Sequence, residues 1–273
     1  MANNTETYWE ADGQSLHTYA RSIETLGGMG PPPFRGEDIT VPLSPGQIWV
    51  PKVLDSNILT LAMWLRGVSQ EAGSGVTATT KAQYQSNWND LIRLLWTPGR
   101  QVSLRKRFYD GGVLRLATAL AEYQGGLQPS LIGNSAARCT VDMKIAAGVF
   151  YHDTETSVVL SNGNNNVTVL GNAPTGLVKV EIVGARTNVK VRNNTAGVEF
   201  TYPQVLNTGV SAIIDSSQYL VTDQSHPAKN MAPLIIHSGS AQWMYLTPGV
   251  NVINLSSTAG AGVVTLKYRA AWV

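Results

Sequence analysis

The densest run of basic side chains in the sequence is Arg105-Lys106-Arg107. On a β-strand, Arg105 and Arg107 would share one face while Lys106 points with Leu104 and Phe108, because side chains alternate along a strand. This pattern predicts a charged contact with a neighbouring subunit. A solvated or edge strand, where charges discourage mispairing, explains it equally well. Three residues provide too few phosphate contacts for specific nucleic-acid binding.

Metal-ligating residues are few and poorly spaced. The four histidines are His17, His152, His226 and His237. None pair at the i, i+4 spacing of a helical metal site, and the single Cys139 excludes both an intrachain disulfide and a thiolate zinc cluster. His152-Asp153 with Glu155 could ligate a metal, but polar residues are expected at the domain junction predicted there. Three asparagines at 164 to 166 are typical of a turn. We therefore predict no metal site.

Catalytic motifs are equally weak. Ser238-Gly239-Ser240 lacks the flanking glycines of a nucleophile elbow. The glycine cluster at 27 to 30 leads into three prolines rather than a helix, so it cannot present a helix N-terminus to a phosphate. Glu199, Asp215 and Asp223 are carboxylates that could serve glycoside hydrolysis, but they are scattered through a region that looks like scaffold. The sequence predicts no enzyme, no catalytic residues and no cofactor.

Composition sets the size and class of the fold. The chain has 273 residues, 43% of them hydrophobic and 14% charged, with a formal net charge of +2. This length suggests two domains. The charged fraction lies well below the about 25% of an average soluble protein, which suits a surface covered by neighbours. No signal peptide and no apolar run of membrane-spanning length are visible, so we expect a soluble protein made in the cytosol, without membrane insertion.

The first half is predicted to be β-rich with one helix. Apolar residues recur at helical spacing from Lys81 to Trp96, with Thr79 or Thr80 as the cap and Thr97-Pro98-Gly99 as the stop. The remaining signals are those of strands and one hairpin turn. They are Gln47 to Leu54, Ile58 to Arg66 (apolar enough to be buried on both faces), Gln101 to Tyr109, the turn Asp110-Gly111-Gly112, Val113 to Tyr123, and Ala137 to Ile145, which places Cys139 in the core.

The second half has no helical period. Short alternating strands recur between turn signals, which predicts a β-sandwich or jelly roll. The turns are Asn162-Gly163, Asn193-Asn194, Thr247-Pro248-Gly249 and Gly260-Ala261-Gly262. Trp243 lies between strand-like residues and is expected in the core. We place the domain boundary near Thr154, to within about ten residues, which gives domains 1–153 and 154–273.

The C-terminal region resembles the end of the distal tail proteins of long-tailed bacteriophages. In that family, a Gly-Ser turn, a Pro-Gly-x-Asn turn and a last aromatic-rich strand complete a galectin-like sandwich. The corresponding stretches here are Leu234 to Trp243, Leu246 to Asn251 and Thr265 to Trp272, with Gly171 to Pro174 upstream.

The N-terminal region resembles the same family, in the version called minor tail protein in phages of actinobacteria. The matching residues are Arg35 to Pro42, Pro45-Gly46, Lys52, the Ile58-to-Arg66 strand and the helix that ends in Leu94-Leu95-Trp96. The resemblance implies a mainly β chain with an N-terminal ring-forming domain and a C-terminal galectin-like or jelly-roll sandwich. It also implies no catalytic residues.

The resemblance further implies a location and partners. The protein would be a structural subunit of the virion tail tip. Copies would form a homo-oligomeric ring, commonly a hexamer, that joins the tail tube to the tip or baseplate. Its neighbours would be the tail tube protein, the tape measure and tail-tip or hub proteins.

Two other functions stay open from the residues alone. The second domain could be a carbohydrate-binding module that contacts host surface glycans, since sandwich folds often bind sugars and the fold does not decide function. Such a site should show two or three exposed aromatics near Asn, Asp or Arg. A glycan-cleaving enzyme is the third interpretation, and it requires two carboxylates about 5 to 9.5 Å apart.

Overall fold

The computed structural model describes residues 8–36, 39–40, 47–48, 53–71, 75–76, 80–225, 229–237 and 243–273. This part of the chain is mainly β, with one α-helix, so the predicted fold class is confirmed. The chain divides into two compact units, residues 1–150 with Val273 and residues 151–272. Each unit is described by itself below. Trp49, Lys52, Pro45-Gly46, His226 and Ser238-Gly239-Ser240 lie outside the described residues.

The first unit contains short strands, four long ones and the helix. They are β1 (Tyr8–Ala11), β2 (Gln14–Ser15), β3 (Arg21–Gly27), β4 (Phe34–Arg35), β5 (Ile39–Thr40), β6 (Gln47–Ile48), β7 (Val53–Leu54), β8 (Asn57–Arg66), β9 (Gln70–Glu71), β10 (Gly75–Val76), α1 (Lys81–Leu95), β11 (Val102–Asp110), β12 (Val113–Gly126), β13 (Ser130–Leu131) and β14 (Ala136–Ile145). The main sheet has the order β2-β1-β11-β12-β14-β8-β3. Every pairing along this path is antiparallel.

One face of this sheet forms the core of the unit. Trp9, Leu104, Ala119 and Val141 from four different strands are buried on it. Cys139 lies among them, as expected, and burial raises the pKa of its thiol to about 11. A thiol held so firmly in its neutral form behaves as a small core side chain rather than a nucleophile.

Strand β8 departs from the expectation of burial on both faces. Leu59, Leu61, Met63 and Leu65 are fully buried, but the alternate side chains are only partly covered and Ile58 is 51% exposed. The continuous apolar run therefore marks a strand of an antiparallel sheet with a second face left accessible, not a strand enclosed by two layers.

The β11–β12 hairpin turns where the sequence predicts it. Asp110 pairs with Val113 across Gly111-Gly112, and both glycines have positive φ (57° and 79°). Two residues of positive φ define the tight hairpin turn whose twist matches that of the strands, and glycine adopts it without steric cost.

The helix begins and ends close to the predicted residues. The Thr80 hydroxyl oxygen accepts a hydrogen bond from the Gln83 backbone N–H at 3.1 Å, so Thr80 is the cap. Tyr84, Leu91, Leu94 and Leu95 are buried.

Gly67 and Asn87 attach the helix to the end of β8. A Cβ on Gly67 would lie 2.2 Å from the Thr80 carbonyl oxygen, so only glycine permits this approach. The Asn87 amide donates hydrogen bonds to the carbonyl oxygens of Arg66 and Val68, at 2.7 and 2.9 Å.

The second unit is built from two antiparallel sheets. Its elements are β15 (Phe150–His152, which starts on the last residue of the first unit), β16 (Thr156–Leu160), β17 (Gly163–Val169), β18 (Val178–Val183), β19 (Arg186–Asn193), β20 (Val198–Leu206), β21 (Ser211–Asp215), β22 (Leu220–Asp223), a 3₁₀ helix (Ala232–Leu234), β23 (Ile236–His237), β24 (Gly249–Ser256), β25 (Ala259–Gly260), β26 (Val263–Tyr268) and β27 (Ala271–Trp272). The sheets have the orders β16-β26-β18-β21-β22 and β17-β24-β19-β20-β23, with β25 beside β19.

The inward side chains of the two sheets form one core. Val180, Ile214 and Leu266 from one sheet and Val191 and Phe200 from the other belong to the same buried cluster. Alternation of buried and accessible residues along these strands is the pattern expected of a sandwich, and the prediction made from it is confirmed.

The Thr247-Pro248-Gly249 turn is held by a buried asparagine. Asn251 is fully buried, its Nδ2 donates to the carbonyl oxygen of Thr247 at 2.7 Å, and its Oδ1 accepts from the Thr247 N–H at 3.1 Å. The same Oδ1 accepts from Asn193 Nδ2, also at 3.1 Å. The asparagine of the Pro-Gly-x-Asn pattern thus satisfies buried polar groups that would otherwise destabilise the fold.

Candidate assembly surface

Strands β1 and β11 position the predicted basic run. Arg105 lies directly opposite Glu10, and Arg107 lies opposite Tyr8. The Arg105 guanidinium is 3.4 Å from the Glu10 carboxylate, and the Arg107 guanidinium carbon is 5.8 Å from the centre of the Tyr8 ring. Arg107 is exposed and Arg105 is partly exposed, so both lie on the accessible face of the sheet, as the alternation predicts.

Lys106 points the other way and is 3% exposed. Its Nζ lies 4.5 Å from the Phe150 ring centre and donates a hydrogen bond to a backbone oxygen of Val273, the last residue of the sequence, at 3.0 Å. Burial of the ammonium lowers its pKa to about 8. The predicted subunit contact therefore has Arg105 and Arg107 as its candidates, while Lys106 serves the interior of the unit.

The accessible face continues across the sheet. Residues paired directly across antiparallel strands share a face, so Ser103–Leu120, Arg105–Thr118, Glu122–Lys144 and Lys144–Ile58 extend it. We call this surface the open face. It is defined by Tyr8, Glu10, Ile58, Trp64, Ser103, Arg105, Arg107, Leu116, Thr118, Leu120, Glu122, Arg138 and Lys144.

The open face mixes exposed apolar groups with paired charges. Leu120 is 56% exposed and Ile58 is 51% exposed. Arg138 covers the Trp64 ring at 4.4 Å and bonds the Glu24 carboxylate at 2.9 Å. An accessible face that combines apolar and aromatic side chains with arginine is typical of protein interfaces. The sequence pattern did not single out Leu120 or Ile58, because alternation predicts a face but not whether anything covers it.

A cleft of about 580 Å³ lies elsewhere in the first unit, lined by Asp12, Arg21, Asp90, Arg93 and Arg100 among others. Arg100 bonds Asp12 at 2.6 Å, and Arg93 lies 3.5 Å from Asp90. Burial alone would raise the pKa of Asp12, but hydrogen bonds from the Ser103 N–H and Arg100, with the charge of Arg100, lower it. These two ion pairs account for four of the five charged residues named in the lining, and Arg21 is the fifth.

The carboxylates considered for hydrolysis each make a structural bond. Asp215 lies 3.2 Å from Lys179, and Glu199 lies 2.8 Å from Lys190. Asp223 accepts a hydrogen bond from the Tyr202 hydroxyl at 2.6 Å, and the pKa of that hydroxyl is strongly raised by burial, by this hydrogen bond and by the charge of Asp223.

The metal candidates also have structural contacts. His152 Nδ1 lies 3.1 Å from the Thr154 carbonyl oxygen, and its ring is 5.6 Å from that of Trp272. The prediction of a turn at the three asparagines 164 to 166 is wrong, because they lie in strand β17 and pair with β24. The Asn165 Nδ2 still donates a hydrogen bond to the carbonyl oxygen of Ser161 at 2.8 Å, just before the strand. Among the residues that the structure describes, no group of three or more His, Cys, Asp or Glu side chains could hold a metal ion. The helix it describes is too short to span a membrane.

Comparisons with known proteins agree with the fold. Residues 170–272 match a family model described as the C-terminal domain of a siphovirus-type tail component. The crystal structure of SPP1 Dit (gp 19.1), described as a paradigm of the hub adsorption apparatus in Gram-positive infecting phages, aligns over 98% of this chain and 99% of that chain, with 13% identity and a TM-score of 0.67. A search of curated protein sequences gave no significant match.

A chain of the phage P2 baseplate in its activated conformation with Ca aligns over 98% of this chain and 99% of that chain, with 10% identity. The TM-score of this alignment is 0.43. The family match and the likeness to SPP1 Dit confirm the resemblance to distal tail proteins that the sequence motifs indicate. Residues 170–272 thus match the C-terminal domain of siphovirus-type tail components, and the chain shares the fold of SPP1 Dit.

Proposed function

We propose that this protein is a structural, non-enzymatic subunit of the phage tail tip whose N-terminal domain, residues 1–153, assembles with copies of itself into a ring, a hexamer by the family resemblance. The ring joins the tail tube to the tip or baseplate, next to the tape measure and hub proteins. The C-terminal domain, residues 154–273, lies outside the ring. The protein enters the virion after synthesis in the host cytoplasm.

The open face is the observation that supports this proposal. Exposed Leu120 and Ile58 lie on the same sheet face as Arg105 and Arg107. Burying apolar surface against a second copy would stabilise the contact by about 25 cal/mol per Å² of surface removed from water. A ring requires heterologous contacts that close under rotation, so the open face of one copy would meet a different surface of the next.

Native mass measurement tests the ring. We expect the purified chain, alone or mixed with the tail tube protein of the same phage, to give a closed oligomer. Leu120→Glu puts a charge on the open face and should reduce the oligomer to monomer. Val159→Glu is the matched control, because Val159 is 66% exposed on a strand of the second unit and its change should leave the mass intact.

A chain that stays monomeric at about 100 μM with and without the tube protein contradicts the ring. If the Leu120 and Val159 variants had the same oligomer mass, the open face would not be the contact between subunits. Circular dichroism and the melting temperature of both variants show whether they fold. Replacing Arg105 and Arg107 together by Ser tests the basic pair within the same assay.

A further inference from the structure

Three aromatic rings are in contact at the end of the sandwich where β21 turns into β22. The Tyr219 ring centre lies 5.6 Å from that of Trp243 at an interplanar angle of 75°. The Trp243 ring in turn lies 5.5 Å from that of His237 at 63°. Both contacts are edge-to-face, a favourable geometry for aromatic pairs. Trp243 is partly buried and packs against the core, close to the sequence prediction, whereas Tyr219 is 64% exposed.

The backbone of Tyr219 is strained. Its φ is +54°, in the left-handed region that bulky L-residues rarely adopt. Glycine or asparagine would occupy this turn position at lower cost. A strained position that presents an exposed aromatic side chain indicates a functional constraint more than a folding requirement.

Two exposed amide residues belong to the same region of the chain as Tyr219. Gln218, next to Tyr219 in the turn, is exposed. The Asn230 side-chain oxygen accepts hydrogen bonds from the backbone N–H groups of Val221 at 3.0 Å and Ala232 at 2.9 Å, which ties an exposed asparagine to the strand that follows the turn. The turn itself is fixed by hydrogen bonds from Ser217 to Asp215.

This combination has the chemistry of a saccharide site. The C–H faces of a pyranose ring stack on aromatic side chains, and its hydroxyls exchange hydrogen bonds with amides. A stable protein interface would need about 800 Å² from each partner, whereas one exposed aromatic ring supported by a second ring matches one or two sugar residues. This is a smaller site than the two or three exposed aromatics expected of a carbohydrate-binding module, because only Tyr219 is exposed. We propose that Tyr219, supported by Trp243, forms a binding site for pyranose oligosaccharides. This proposal does not depend on the proposed oligomeric ring of subunits.

Titration calorimetry and saturation-transfer NMR test the site with four tetrasaccharides. They are the tetramer of N-acetylglucosamine, the α1,4-linked tetramer of glucose, the β1,4-linked tetramer of glucose and the tetramer of mannose. We expect at least one to bind the full chain with a dissociation constant of about 0.1–5 mM. Tyr219→Asn keeps a residue that tolerates positive φ but removes the ring, and it should weaken binding about tenfold. Tyr109→Ala is the matched control, because Tyr109 is 53% exposed in the first unit and should not affect binding.

Failure of all four probes to bind up to about 20 mM overturns the proposal. Binding that survives Tyr219→Asn with unchanged affinity overturns the assignment to these residues. An unchanged melting temperature shows that the variant is folded. The Tyr219→Asn variant should form an oligomer of the same mass as the unmodified chain. Loss of sugar binding and loss of subunit assembly are therefore separate outcomes.

Discussion

Replacing Lys106 by methionine should make the first unit more stable at neutral pH. Lys106 is 3% exposed, and burial lowers its pKa from an ordinary value of about 10.5 to about 8. The change removes the desolvated ammonium and fills its volume with a chain of similar length. The hydrogen bond to Val273 and the contact with the Phe150 ring are lost in exchange.

The size of the effect follows from the pKa. Lowering a pKa by one corresponds to about 1.4 kcal/mol, so holding the ammonium charged in the folded state costs about 3 kcal/mol below pH 8. The hydrogen bond and the cation–π contact of Lys106 stabilise the folded state by about 1–2 kcal/mol, and losing them in the variant offsets part of this gain. Lys106→Met should therefore raise the free energy of unfolding by about 1–2 kcal/mol at pH 7.

The pH dependence gives the sharper measurement. Between about pH 8 and 10.5 the unfolded chain keeps the lysine proton while the folded chain releases it, so the stability of the unmodified protein rises with pH over this window. The free energy of unfolding, measured by urea denaturation at several pH values, should approach and then exceed that of the Met variant. Subtracting the two curves cancels every other titrating group, including Cys139, whose raised pKa acts in the opposite direction.

The difference is the free energy of unfolding of the unmodified protein minus that of the Met variant. A difference that stays constant from about pH 7 to 10.5, or that falls as pH rises, would refute the reasoning. So would a Met variant less stable than the parent at pH 7 by more than about 2 kcal/mol, since that would mean the charged contacts outweigh desolvation. Lys267→Met is the control: the hydrogen bond to Glu181 raises the pKa of Lys267, so the stability of the unmodified protein relative to that variant should not rise with pH.

Two further substitutions test the second unit by thermal or urea unfolding. Asn251→Ala removes the buried amide that holds the Thr247 turn and should cost about 2–4 kcal/mol, whereas removal of the exposed Asn166 amide should cost under about 1 kcal/mol; equal losses would contradict the buried network. Gly171→Ala places a Cβ 2.1 Å from the Ala271 carbonyl oxygen at a φ of +101° and should cost about 3 kcal/mol or more. Gly163→Ala is the control, because Gly163 has a similar φ of +91° but open space around it, and it should cost about 1–2 kcal/mol. Equal losses for the Gly171 and Gly163 variants would contradict the steric argument.

Much of the fold could be predicted because it depends on local signals. The helix is defined by Thr80 at its start and by apolar residues at helical spacing, and the Asp110-Gly111-Gly112 turn by its glycines. Alternation correctly placed Cys139 inside. The same rule placed Lys106 with Leu104, so its burial could have been expected, but a lone lysine is usually assigned to the surface until the partner of its ammonium is known.

The candidate sites were harder to predict because they depend on what covers a face. The apolar run of β8 predicted enclosure on both sides, yet Ile58 is half exposed, since hydrophobicity does not tell which face a neighbour occupies. Tyr219 follows a polar stretch in a turn, where nothing in the sequence reveals its positive φ or its contact with the distant Trp243. Long-range juxtaposition of this kind is set by topology.

The ion pairs of the open face have a consequence for how assembly is timed. Arg105 is neutralised by Glu10, and Arg138 by Glu24, within one subunit. In the proposed ring, therefore, these pairs would leave few charges on this face beyond Arg107 for a partner to neutralise, and long-range attraction would contribute little to the encounter rate. Subunits would then associate slowly from dilute solution and faster on a scaffold that brings them together.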